Sequence, residues 1–91
     1  MQSDRELIQK PLSIDLLVRL SEADGCTKSE LMRSYHDLMA KTAYYRLCEM
    51  TDLGWIKYRS EPGARNRVCI TDKGRDVCET VTDMLEYMEE M

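Results

Sequence analysis

Lys41, Thr42, Tyr45 and Arg46 recur at spacings that gather them on one flank of a helix. Their side chains suit a polyanion. Lys and Arg donate to phosphate oxygens and guanine edges, while Thr and Tyr reach phosphate or a thymine methyl. A second set, Lys57, Arg59, Arg65 and Arg67, brackets a turn-rich stretch in which Glu61 is the only acid. Bases so arranged clamp phosphates, and each neutralised phosphate releases counterions, so such binding weakens steeply with salt. Arg65, at the tip of the turn, is placed to reach a minor groove. Each set has a plainer reading: a solvated helix face for the first, and charges guarding an exposed strand edge for the second.

Other chemistries find few residues to work with. There is one histidine, His36, with no G-x-S-x-G and no glycine-rich phosphate loop. No nucleophile and base can be paired, and no enzyme is expected. The four cysteines, Cys26, Cys48, Cys69 and Cys78, include no C-x-x-C pair, so neither a zinc site nor a cofactor is expected. Cys69 is expected to face outward from a strand, and Cys48 and Cys78 to be small buried hydrophobes. His36, in a turn, is expected to meet backbone phosphate or solvent. No apolar run approaches the roughly 20 residues that span a bilayer. The polar start Met1-Gln-Ser-Asp-Arg-Glu is not a signal peptide. A soluble cytoplasmic protein with reduced thiols is expected.

The elements that must position these residues follow from periodicity. Pro11 opens a helix over about Leu12 to Ala23, with Ile14, Leu17, Val18 and Ser21 on one face, and Asp24-Gly25 closes it. A short helix through Leu7 and Ile8 precedes it. Thr27-Lys28-Ser29-Glu30 is a capping-box pattern opening a second short helix that reaches about Tyr35. A third helix runs from about Ala40 to Leu53, with Ala43, Leu47 and Met50 inward and Lys41, Thr42, Tyr45, Arg46 and Glu49 outward. Alternation in Trp55–Ser60 and Arg67–Thr71, joined by Glu61-Pro62-Gly63-Ala64-Arg65-Asn66, predicts a β-hairpin. Trp55, Tyr58 and Tyr44 read as structural. A last helix follows Thr71, and Val77, Val81, Met84, Met88 and Met91 form a heptad seam that Leu85 widens.

Charge is polarised along the chain. The formal net charge is −4, yet from Asp72 onward seven acids stand against Lys73 and Arg75. That end carries −5 and leaves +1 for the rest. Between Lys41 and Arg67 six bases meet three acids. The basic middle fits DNA, and the acidic end would be held away from it.

Three helices, a hairpin and a helix are the order of a winged helix-turn-helix, with the hairpin as wing and the third helix in the recognition position. The stretch from Lys41 to Ile56, ending Leu53-Gly54-Trp55-Ile56, resembles the recognition helix and following Leu-Gly-(apolar)-Ile of MarR-like and PadR-like regulators. Ile70-Thr71-Asp72-Lys73-Gly74-Arg75 resembles the Leu-Thr-Glu-Lys-Gly-Arg start of their C-terminal helix. The compact size and the Thr-Lys-Ser-Glu-Leu-Met opening of the second helix are most similar to small archaeal and archaeal-virus winged-helix proteins. The resemblance covers roughly Ile14 to Leu85. It implies a recognition helix in the major groove, a wing on the flanking backbone, and terminal helices that hold a dimer. The long N-terminal helices of MarR proteins are missing here, so the dimer would rest on the C-terminal helix.

The expected fold is α+β and mostly α: one winged-helix domain with an N-terminal extension over 1–11, a core over 12–71 and a dimerisation helix, in coiled-coil style, over 72–91. The expected function is sequence-specific binding of double-stranded DNA as a homodimer, in repressor-like transcription control. The dimer interface would be Val77, Val81, Met84, Leu85 and Met88. The rival reading is a winged helix that contacts protein within a transcription or other assembly, which the overall acidity favours.

Overall fold

The computed structural model describes residues 2–60, 62–63 and 66–89. The chain opens with α1 (Asp4–Ile8), capped by Ser3, whose hydroxyl oxygen accepts the Glu6 N–H at 3.2 Å. Although α1 lies in the stretch expected to be an extension, its Leu7 is fully buried in the core. Next comes α2 (Ser13–Glu22), which buries Leu16, Leu17 and Leu20. Leu12, just before it, has a left-handed backbone with φ 69°. That conformation costs an L residue about 1 kcal/mol or more, and the packing of Leu12 against the core holds it in place.

Gly25 turns the chain at φ 87° into β1 (Cys26–Thr27). Thr27 then caps α3 (Lys28–Met32): its hydroxyl oxygen accepts the Glu30 N–H at 3.2 Å and its O–H donates to the Glu30 carboxylate at 3.0 Å. The Glu30 carboxylate reaches back to Thr27 as the capping-box pattern predicts, meeting its hydroxyl. The next helix, α4 (Asp37–Asp52), begins three residues before the sequence pattern suggested. His36 is its cap. The His36 Nδ1 accepts the Leu38 N–H at a long 3.5 Å, and its carbonyl accepts the Met39 and Ala40 N–H groups at 2.8 and 3.0 Å. α4 buries Ala43, Leu47 and Met50, the stripe that periodicity picked out.

The hairpin consists of β2 (Ile56–Arg59) and β3 (Arg67–Ile70), antiparallel, with Ile56 opposite Ile70 and Arg59 opposite Arg67. Its other neighbour is β1, so the sheet has three strands in the order β1-β3-β2. Asp24 stitches this edge together. Its Oδ1 accepts the Ile70 N–H at 3.0 Å and its Oδ2 the Arg75 guanidinium at 2.7 Å. The extra strand overturns one expectation. Cys69, taken as exposed on a strand facing water, is 8 % exposed because β3 is the central strand.

Trp55 is fully buried between α4 and β2, and its indole N–H donates to Asp4 Oδ1 at 2.8 Å. Its carbonyl accepts the Thr71 N–H at 2.9 Å. Thr71 caps α5 (Asp72–Glu89) by accepting the Gly74 N–H at 3.0 Å. Gly74 explains the glycine of the Thr-Asp-Lys-Gly-Arg motif: a Cβ there would lie 2.1 Å from the Trp55 carbonyl oxygen. Only a residue without a side chain lets the first turn of α5 seat against the base of the hairpin.

Candidate nucleic-acid interface

At about 100° per residue, Leu38, Lys41, Tyr45 and Asp52 fall in one sector of α4, opposite Ala43, Leu47 and Met50. All four are exposed, Leu38 at 86 %. The Lys41 Nζ lies 6.0 Å from the Tyr45 ring centroid, within reach of a cation–π attraction. Thr42 and Arg46 instead occupy the flank turned toward α1. Arg46, expected in the outer set, has a side chain only 14 % exposed, with Nη1 2.9 Å from Glu49 Oε1. That contact is close but poorly aligned for a hydrogen bond, and Nε and Nη1 are both buried without one. Glu49 also accepts Lys10 Nζ from beyond α1. Burial pushes the Glu49 carboxyl up, but hydrogen bonds from Lys10 and Gln2 and the Arg46 charge outweigh it and hold it below the usual range. Arg46 therefore belongs first to a partly buried ion cluster. Sequence spacing could not foresee this, because Lys10 lies far away along the chain.

On the hairpin, Lys57 and Arg59 are exposed. Arg67 is half-buried and donates from Nη1 to the Gly25 carbonyl at 2.8 Å. Arg59 and Arg67 stand directly opposite one another. Arg65 lies outside the described residues.

An open cleft of about 460 Å³ separates α4 from the hairpin, lined by Tyr44, Cys48, Thr51 and Asp52 on one side, Tyr58 and Asn66 on the other, and Lys28. Three expectations change here. Tyr44 and Tyr58, read as structural, are both exposed: Tyr44 lies off the buried stripe of α4, and Ile56 alone of β2 is buried. Burial against the cleft wall and the neighbouring Cys48 still raise the Tyr58 hydroxyl above its ordinary pKa. Cys48, read as buried, is exposed, since it sits one residue past Leu47 and so about 100° round the helix. The Lys28 Nζ lies 3.9 Å from the Tyr44 ring centroid, which brings a base from the start of α3 to the same cleft.

The arrangement of α3, α4 and the hairpin recurs in a crystal structure described as that of a possible HxlR family transcriptional factor from Thermoplasma volcanium. The superposition covers 97 % of this chain and 80 % of that one, with a TM-score of 0.79 and 18 % sequence identity. The fold is a winged helix. No protein-family model matches the chain, and no curated protein matches it in sequence. In the terms of a winged helix, α3 and α4 take the places of the helix-turn-helix pair, α4 that of the recognition helix and β2–β3 that of the wing. Leu38 and Lys28 are residues of this region that the sequence did not single out, and Tyr44 is one that it assigned to the structure alone. The only signal for Leu38 was an apolar residue outside the buried stripe, and it was hidden by the late start assigned to the helix.

Of the α5 seam, Val77 is half-buried and Val81 is 6 % exposed within its own chain. Met84, Leu85 and Met88 are exposed, and Tyr87 joins them. Met91 lies outside the described residues. An apolar groove of about 340 Å³ runs between α1 and α5, with Ile8, Val77, Val81 and Met84 in its walls. Among the described residues no helix is long and apolar enough to cross a membrane, and no three metal-binding side chains cluster.

Proposed function

We propose that this winged helix binds double-stranded DNA as a homodimer in the cytoplasm and regulates transcription by occupying a promoter. The observation that carries the reading is the set of exposed bases on the helix-turn-helix and the wing. Lys41 and Tyr45 lie on the outer sector of α4, Lys28 lines the neighbouring cleft, and Lys57 and Arg59 are exposed on the face of β2 opposite Tyr58. The fold it shares with a possible transcriptional factor supports the same reading. The base-reading set is then Lys41 and Tyr45, with Thr42 on the flank and Arg46 in a supporting place. The wing set is Lys57, Arg59, Arg65 and Arg67. Met84, Leu85 and Met88 of α5, with Val77, would meet their counterparts across a two-fold axis. Two recognition helices would then enter successive major grooves about 34 Å apart. Val81 contributes chiefly to its own subunit.

Fluorescence anisotropy with a random-sequence duplex over a salt series tests this. Binding should fall steeply with salt, and Lys41→Ala and Lys57→Ala should each reduce the slope by about one. Absence of binding at low salt would refute the proposal. The net charge of −4 would then favour a protein-contact role, and failure to bind heparin would agree with it.

A further inference from the structure

We infer that Leu38 reads the C5-methyl group of thymine in the major groove, so that this protein prefers thymine at one position in each half-site. The inference rests on the DNA-binding reading and names the base that reading leaves open. Single exposed leucines are common on protein surfaces; the place of Leu38 sets it apart. It lies in the first turn of α4, 86 % exposed, with its side chain opposite the buried stripe. Lys41 follows one turn on and Tyr45 two turns on, in the same sector. The N-terminal residues of a recognition helix are the ones that meet base edges.

Of the four bases, only thymine offers an apolar group in the major groove. Adenine, guanine and cytosine present donors and acceptors that a leucine would strip of water without replacing. Leu38 would thus favour thymine twice over, by covering its methyl and by penalising the alternatives. At 86 % exposed the side chain buries little surface on folding, so it is free to serve recognition.

The test begins with selection of duplexes from a randomised pool by the full chain. Each thymine of the selected duplex is then replaced, one at a time, by deoxyuridine, which removes the methyl and leaves every hydrogen-bonding group in place. At one position per half-site the replacement should weaken binding about fourfold, the worth of one buried carbon. With Leu38→Ala that sensitivity should disappear, while circular dichroism shows an unchanged fold. Leu38→Gln should shift the selected base toward adenine, which glutamine pairs through two hydrogen bonds. If deoxyuridine is tolerated everywhere, or its effect persists in Leu38→Ala, the inference falls while DNA binding stands. If no duplex is enriched from the pool at low salt, the DNA-binding reading falls and the inference falls with it.

Discussion

Gly74→Ala should destabilise the protein, against the direction that helix propensity alone gives. Alanine inside a helix is worth about 1 kcal/mol more than glycine. At this position the new Cβ would lie 2.1 Å from the Trp55 carbonyl oxygen, 2.8 Å from Ile70 Cγ1 and 3.0 Å from the Trp55 carbonyl carbon. Two of the three obstacles are backbone, and that backbone is pinned on every side. The Trp55 N–H donates to the Met50 carbonyl, its carbonyl accepts from Thr71, and its indole is buried and bonded to Asp4. Relief requires a shift of about an ångström between α5 and the wing, so the cost belongs at the upper end of overpacking, about 3 kcal/mol. Strain in the Thr71–Trp55 hydrogen bond adds up to about 1 kcal/mol. After the propensity gain, a net loss of about 2–3 kcal/mol remains. For a domain of this size that lowers Tm by roughly 10–20 °C. Urea unfolding followed by far-UV circular dichroism, at matched protein concentration, reads the loss as a lower midpoint with unchanged m. Asp76→Ala, two residues further along the exposed side of α5, should stay within about 0.5 kcal/mol. A Gly74→Ala midpoint at or above the parent's would show that the first turn of α5 does not seat on Trp55.

Met84→Glu combined with Met88→Glu should convert a dimer to monomers, seen as a halved mass by light scattering; a dimer that survives the pair of charges would remove α5 from the interface. Tyr35 donates to Asp15 Oδ2 at 2.6 Å, and that hydrogen bond, with the Arg19 guanidinium beside it, holds the Asp15 carboxyl below its ordinary pKa. The resulting stability is present above the unfolded carboxylate pKa, about 3.9, and is lost as pH falls through the lower folded value. Tyr35→Phe should therefore cost about 1 kcal/mol near neutral pH, with the gap from the parent narrowing in acid; a constant gap would rule out the linkage. Thiol labelling of the native protein, mapped by mass spectrometry, should modify Cys48 first, with Cys69 and Cys78 reacting only on unfolding. Equal labelling of Cys69 and Cys48 would contradict the central place of β3.

The order of elements could be read from the sequence because each carries a strong local signature. The Ala43–Leu47–Met50 stripe, the Thr27 box, the Thr71 cap and the two hairpin strands all sit where spacing placed them, although burial does not alternate along either strand. What escaped depended on partners distant in sequence. The two-residue strand β1 exists only because β3 offers it an edge, and no period can be seen over two residues. Its presence buries Cys69. The early start of α4 rests on a histidine cap, a residue type that does not announce a helix. Arg46 was assigned to the outer face by helical spacing, and the cluster with Lys10 and Glu49 draws it inward. Lys41, Tyr45, Lys57 and Arg59 are exposed, as their spacing predicted. Leu38 is the addition that only three dimensions supply.

The molecule contains a single tryptophan. Trp55 is wholly screened from solvent at the junction of α1, the wing and α5, and donates its indole N–H to Asp4. It is thus a built-in optical reporter, with short-wavelength emission in the native state. Its ring is fully buried and bonded to Asp4 of α1, so a duplex on the recognition face should leave the emission unchanged. Detachment of α1 would hydrate the indole and move its emission to the red before most of the helix signal is lost. Intrinsic fluorescence and circular dichroism together would then separate fraying of the N-terminal lock from collapse of the whole domain.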